Sequence, residues 1–153
     1  MIKSSLEYLQ TSILDRLLDD PTQQSRDVSI RQVKRAVARD IENLLNSRRI
    51  IFDPPAGCPE LENSLYTYGL QDFTAQNSGS GVIRQKIKND IERTIARLEP
   101  RMTGVRVQFE LSGDKGRTLR FSISGQLHAD PLSEQVTFDS TLDVNRGRCS
   151  ISG

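Results

Sequence analysis

The sequence has few of the residues from which metal and redox sites are built. Its 153 residues include two cysteines, one histidine and no tryptophan. Cys58 and Cys149 are far apart and lack metal-ligand spacing, and His128 alone cannot complete a zinc set with them. We therefore interpret the cysteines as free thiols in a reducing compartment.

Long apolar runs and an excess of one charge are also missing. No apolar stretch reaches the roughly 18 residues of a membrane span, and the first residues lack the apolar run of a signal peptide. The 21 basic residues are balanced by 20 acidic ones, so the net charge of +1 provides no overall field that attracts nucleic acid or anionic membrane. We expect a cytoplasmic chain that meets its partners through local surfaces.

The signatures of common enzymes are absent as well. The sequence contains no phosphate-binding glycine loop, no GxSxG elbow, no HExxH and no paired CxxC. A glycosidase needs only two carboxylates across a cleft, for which the sequence offers Glu99, Asp114, Asp130 and Glu134. Carboxylates are too common for this to favour an enzyme, so we nominate no catalytic residue, no cofactor and no metal.

Apolar residues recur at helical spacing in three segments, at residues 6–18, 30–45 and 81–98. Pro100 ends the third helix, because the residue before a proline resists the helical conformation. The second predicted helix has a basic outer face made of Arg31, Lys34, Arg35 and Arg39. We interpret this face as a solvated surface, with binding of phosphates or acidic protein as the alternative.

After Pro100 the period changes to the alternation of half-buried strands, near residues 105–111, 119–127 and 136–144. We therefore predict an α+β fold, with N-terminal helices packed on one face of a C-terminal antiparallel sheet of about three strands. The predicted organisation is an N-terminal helix and linker over residues 1–28 and an α+β domain over residues 29–153. The other face of the sheet is polar and stays wet unless a partner covers it.

The turn between the third helix and the first strand breaks a local rule. Glu99 places a negative charge at a helix C-terminus, where the macrodipole disfavours it, and Pro100 and Arg101 follow directly. One interpretation is a local Glu99–Arg101 pair, worth well under about 1 kcal/mol if exposed. The other is a preorganised docking point with charges of both signs, because such inconsistencies concentrate at functional sites.

Several segments together resemble a known family. They are ILDRLLDD at residues 13–20, VARDIENLLNSRR at 37–49, PELENSLYTYGLQD at 59–72, LEPR at 98–101 and the C-terminal TLDVNRG. In this order they resemble the lysozyme-like baseplate wedge proteins of contractile phage tails and, within that family, the TssE subunits of type VI secretion systems. The Glu-Pro-Arg tripeptide is the family's hallmark.

The resemblance implies a structural role in a baseplate, without a cofactor. The expected partners are the baseplate proteins TssF, TssG and TssK and the sheath proteins TssB and TssC, in a membrane-docked baseplate. It also implies partner contacts at Glu99, Pro100, Arg101 and Arg16. The alternatives are a lysozyme-like peptidoglycan hydrolase, the equivalent subunit of a phage-like tail, and a small nucleic-acid binder.

The predicted sheet also suggests how a sheath protein binds. With only three strands, both edges present unpaired backbone groups that an extended segment can satisfy. The third strand lacks proline and keeps Asp139 on its polar face between Thr137 and Thr141. We therefore expect an open edge at Thr137, Asp139 and Thr141, unless residues 148–153 fold back to cover it.

Overall fold

The computed structural model describes Leu17 and residues 30–51, 58–62, 64–76, 80–110, 118–129 and 132–152. Its elements follow in the order α1 (Ile30–Asn46), the one-turn helix α2 (Pro59–Glu62), a 3-10 turn (Leu65–Thr67), α3 (Gly81–Leu98), β1 (Met102–Phe109), β2 (Thr118–Ala129), β3 (Leu132–Asp143) and β4 (Arg148–Ser152). The predicted order of helices before strands is confirmed. The helix predicted over residues 6–18 lies outside the described residues, except for Leu17, which is helical and exposed.

The two long helices each bury one apolar stripe. In α1 the buried side chains recur at steps of three and four residues and so share one face: Val33, Val37, Ile41, Leu44 and Leu45. In α3 the fully buried Ile87, Ile91 and Ile95 form an i,i+4 row. The helix ends at Leu98, as predicted, and Glu99 leaves the helical region with φ −119° and ψ 85°.

A short backbone bridge joins the end of α1 to the segment before α3. The Leu70 N–H donates to the Ser47 carbonyl, and the Arg49 N–H donates to the Leu70 carbonyl, each at 2.9 Å. Gly69 has φ +103°, and a Cβ at this position would lie 2.5 Å from the Ser47 carbonyl oxygen. A glycine is therefore required for the two segments to approach this closely.

The strands form one antiparallel sheet in the order β1-β2-β3-β4. One face packs on the helices through alternate buried residues: Leu119, Phe121, Ile123, Leu127, Val136, Phe138 and Leu142. The other face carries polar side chains such as Ser122, Thr137 and Asp139. This confirms the predicted packing of helices on one face of the sheet, but the predicted number of about three strands is wrong, because the sheet has four.

The fourth strand changes the edge of the sheet. Asp139–Asp143 pairs with Arg148–Ser152, so this half of β3 is interior. The predicted open edge at Asp139 and Thr141 is therefore wrong, and the alternative in which the C-terminal residues cover it is correct for β4. β4 escapes sequence reasoning because its five residues contain only two inward positions, Cys149 and Ile151.

Candidate functional site

The turn that joins α3 to β1 holds a cluster of three charged side chains. Glu99 Oε1 accepts from Arg101 Nε at 2.7 Å, and Glu99 Oε2 accepts from Arg101 Nη2 at 2.7 Å. Asp40 of α1 completes the cluster, with its Oδ2 2.6 Å from Arg101 Nη2. One guanidinium thus binds a carboxylate in bidentate fashion and ties a second element to the turn.

Burial makes this cluster different from a surface ion pair. The side chain of Glu99 is only 6% exposed, whereas those of Arg101 and Asp40 are each 30% exposed. A carboxylate removed from water is tolerated only when it is paired and hydrogen-bonded. The expected local pairing is therefore present, but the assumption that an exposed pair contributes almost nothing does not hold for Glu99.

The pKa values of Arg101 and of the neighbouring Tyr68 are shifted by their surroundings in the cluster. The hydrogen bond to Glu99 is the largest cause that raises the pKa of Arg101; burial opposes it and Asp40 adds to it. Burial, followed by the charges of Asp40 and Glu99, raises the pKa of Tyr68, so its phenol stays protonated. Arg39 Nη2 lies 3.3 Å from Asp40 Oδ1, a weaker contact on the outer side.

The backbone holds the same turn against the sheet. The Met102 N–H donates to the Glu99 carbonyl at 3.0 Å, and the His128 N–H donates to the Arg101 carbonyl at 2.8 Å. Pro100 is exposed and Glu99 is buried. Pro100 and the outer part of Arg101 are thus the parts of the Glu-Pro-Arg turn that another molecule can contact, and Glu99 acts by positioning Arg101.

Helix side chains also cap both outer strands of the sheet. Asn46 of α1 accepts from the Cys149 N–H at 2.8 Å and donates to the Cys149 carbonyl at 2.9 Å. Glu42 of α1 accepts from the Ile151 N–H at 3.0 Å, and Glu92 of α3 accepts from the Val107 N–H at 2.8 Å. These contacts occupy backbone groups of β4 and β1 that would otherwise be available for pairing with another strand.

The first half of β3 extends beyond the end of β4. The pairing with β4 stops at Asp139, opposite Ser152, and no described strand lies beside Leu132–Phe138 on that side. Since the N–H groups of Cys149 and Ile151 point to α1, the alternate residues of β4 face β3. By the same alternation, the backbone groups of Ser133, Gln135 and Thr137 point to this uncovered side, which we call the β3 half-edge.

The proposed partner-binding residues therefore fall in two places. Glu99, Pro100 and Arg101 lie together at the turn. Thr137, Asp139 and Thr141 expose their side chains on the polar face of the sheet, and only the backbone of Thr137 belongs to the β3 half-edge. Arg16 lies outside the described residues.

Sequence reasoning missed the residues that join helices to turn and strands. Asp40 is 61 positions from Arg101, and Asn46 is 103 positions from Cys149, so no local pattern connects them. The only available signal was that polar residues flank the apolar stripe of α1. Among the residues that the structure describes, no group of three or more His, Cys, Asp or Glu side chains is placed to hold a metal ion.

The carboxylates considered for a glycosidase are either engaged or outside the described range. Glu99 is bound by Arg101, and Glu134 Oε1 lies 2.6 Å from Lys34 Nζ. Asp114 and Asp130 lie outside the described residues. The two carboxylates that the turn brings together, Glu99 and Asp40, are bridged by a guanidinium and do not face each other across an open cleft.

A comparison with protein families connects this geometry to a known group. The family model for baseplate wedge protein gp25 matches residues 31–132. The chain belongs to this family. The matched range contains α1 except Ile30, all of α3, β1 and β2, and the whole Asp40–Glu99–Arg101 cluster, so the gp25 family assignment includes the turn singled out from the sequence. A comparison with curated proteins found no match.

Membership of the gp25 family supports a structural role in the baseplate of a phage-tail-like machine. The family is described by a place in an assembly and not by a reaction. Within the described ranges, no helix is both long and apolar enough to cross a membrane.

Proposed function

We propose that this protein is a structural baseplate wedge subunit of a contractile type VI secretion apparatus, equivalent to TssE. In this role it docks to the other baseplate proteins TssF, TssG and TssK, in a baseplate assembled at the cytoplasmic side of the membrane. It also provides the surface on which the sheath of TssB and TssC begins to assemble. The match to the gp25 family over residues 31–132 is the observation that carries the proposal.

The Glu-Pro-Arg turn is the proposed contact with the other wedge proteins. Pro100 and the 30% exposed Arg101 form its outer surface, and the buried carboxylate of Glu99 holds the guanidinium in one orientation. Because Arg101 is bound on its inner side by Glu99 and Asp40, a partner meets a rigid side chain and loses little entropy in ordering it. Arg16 remains a proposed contact from the family resemblance.

The β3 half-edge is the proposed contact with the sheath. Helix side chains already bind outer backbone groups of β1 at Val107 and of β4 at Cys149 and Ile151. The backbone at Ser133, Gln135 and Thr137 faces no described strand, which favours strand addition there. An extended segment of a sheath protein that pairs there continues the line of β4. Strand addition is therefore proposed at the first half of β3, because Asp139 and Thr141 already pair with β4.

Purification of the tagged protein from its own host tests the assignment. Co-purification of TssF and TssG, at native expression level, supports a secretion baseplate, whereas recovery of phage-like tail proteins supports the equivalent subunit of a phage-like tail. If neither group of proteins is recovered, the result contradicts the structural role. Arg101→Lys, which keeps the charge and loses the bidentate geometry, should weaken the capture. Arg146→Lys is the matched control, because it makes the same substitution at a side chain that is 84% exposed and remote in sequence from the turn.

The rival function, peptidoglycan hydrolysis, is tested directly. We expect the purified protein not to release muropeptides from peptidoglycan, because Glu99 and Asp40 are both bound to Arg101 and neither is presented as an acid to a cleft. Turnover that disappears in Glu99→Gln, while the variant stays folded, would overturn the structural assignment.

A further inference from the structure

The β3 half-edge is one side of a slot, and α1 forms the other. Lys34 Nζ of α1 lies 2.6 Å from Glu134 Oε1 of β3, so this turn of the helix stands over the uncovered half of the strand. Farther along, β4 fills the equivalent space between the same two elements, with Cys149 bonded to Asn46 and Ile151 bonded to Glu42. The slot therefore begins where β4 ends.

The helix face that covers β4 changes its chemistry along its length. Seven residues make nearly two helical turns, so positions seven apart lie on almost the same face. Arg35 precedes Glu42 by seven residues, and Arg39 precedes Asn46 by seven. The face that offers Glu42 and Asn46 to β4 thus continues over the slot as Arg35 and Arg39, followed by Arg31 one turn beyond Arg35.

This change inverts the hydrogen-bonding character of the face. Glu42 accepts from a backbone N–H of β4, whereas an arginine side chain can only donate. Arg31 and Arg35 are exposed and have no acidic partner among the described residues, and three like charges spaced four residues apart destabilise an isolated helix. On the two elements that flank the slot, Glu134 binds Lys34 and Asp40 binds Arg101, whereas the exposed side chain of Asp139 lies on the polar face of the sheet where β4 ends.

From this complementarity we infer that the slot between Arg31 and Arg35 of α1 and the β3 half-edge takes an extended acidic segment of a partner protein. The inference rests on the proposed strand addition and specifies its partner. The backbone of the segment pairs with Ser133, Gln135 and Thr137, and its carboxylates and outward carbonyls accept from Arg31 and Arg35. Charge selects the segment, and the β3 backbone sets its extended conformation.

The test uses a labelled short peptide that alternates threonine with glutamate, and matched peptides with lysine or glutamine in place of glutamate. Binding is measured by fluorescence anisotropy, and backbone pairing by hydrogen exchange at the amides of Gln135 and Thr137. We expect the glutamate peptide to bind best and to slow exchange at both amides. Arg31→Glu and Arg35→Glu should each weaken it about fivefold or more, and its affinity should fall with added salt.

The control variant is Arg106→Glu, which makes the same charge change at an exposed arginine of β1. It should leave the affinity within about twofold, because β1 is at the opposite end of the strand order from the slot. Equal loss in Arg106→Glu would reduce the effect to overall charge and overturn the inference.

The remaining outcomes separate this inference from the proposed function. Equal protection of the two amides by the lysine and glutamate peptides would leave strand addition intact and refute the acidic preference. Full protection of these amides in the free protein would mean that another part of the chain fills the slot, and would refute both. Sheath assembly that persists although no peptide binds, and although the half-edge is blocked by Gln135→Pro, would refute strand addition itself.

Discussion

Arg101→Glu probes the ion cluster most severely, because it removes the guanidinium that binds Glu99 and places a third carboxylate beside Glu99 and Asp40. Glu99 is 5% exposed, so water cannot replace the lost partner without opening the end of α3. An exposed pair at this turn would make the substitution almost neutral for stability. The burial of Glu99 predicts the opposite, namely that folding and docking are both affected.

The expected size follows from the burial of the two partners. Breaking a buried ion pair by removing one partner costs about 3–5 kcal/mol, and the partial exposure of Arg101 lowers our expectation to about 2–4 kcal/mol. For a chain of this length each kcal/mol corresponds to roughly 2–4 °C in Tm, so thermal unfolding should shift by about 4–16 °C. Circular dichroism during heating, with urea unfolding as a second measurement, provides the comparison.

A control variant makes the result decisive. Arg146→Glu carries the same charge change at an 84% exposed side chain and should alter the stability by no more than about 0.5 kcal/mol. A Tm for Arg101→Glu equal to that of Arg146→Glu would refute the reasoning from burial.

Three further predictions concern the sheet. Gln135→Pro should stay folded because the N–H of Gln135 faces the uncovered side of β3. Thr141→Pro removes a backbone hydrogen bond to β4 and should therefore unfold at a distinctly lower urea concentration. Equal urea midpoints for the two variants would contradict the derived register. Asn46→Ala should lower the free energy of unfolding by about 1–3 kcal/mol and speed hydrogen exchange at the Cys149 amide, because both hydrogen bonds from Asn46 to Cys149 are lost. Unchanged exchange at this amide would show that the Asn46 side chain is dispensable for holding β4. Burial, and then the charge of Glu42, raises the pKa of the Cys149 thiol to about 12. The unfolded chain therefore loses this proton at lower pH than the folded one, and the free energy of unfolding should fall between about pH 9 and 12. The same fall in Cys149→Ala would show that another group causes it.

The parts of the fold that sequence reasoning predicted are those in which one periodicity is sustained. In α3 the isoleucines repeat every four residues over three turns, and only a helix brings them to one face. In β2 the alternation from Leu119 to Leu127 has the period of a strand with one buried face. Pro100 separates the two patterns, so the boundary between helix and sheet was predictable as well.

The remaining features depend on contacts between distant parts of the chain. The five residues of β4 are too few for alternation to be recognised, and the strand forms because Asn46 and Glu42 satisfy its outer backbone groups. The turn was identified because Glu99 violates a helix rule, but its neighbours Asp40, which shares Arg101 with it, and Tyr68 are distant residues that no local pattern links to it. Helix rules identify Glu99 as unusual at its position, but they do not indicate whether its side chain is exposed to water.

The caps that connect the helices to the outer strands have a mechanical consequence. A partner segment attached at the β3 half-edge, as proposed above, would pull along the direction of the strands, and such a force would tend to slide the sheet past the helices. Glu42 and Asn46 resist this movement at one edge and Glu92 resists it at the other, while the Glu99–Arg101 pair and Asp40 hold the turn between them. If the proposed partners bind at both surfaces, these links would share the load in parallel, and tension at the β3 half-edge would reach the partner at Pro100 and Arg101 through bonded contacts.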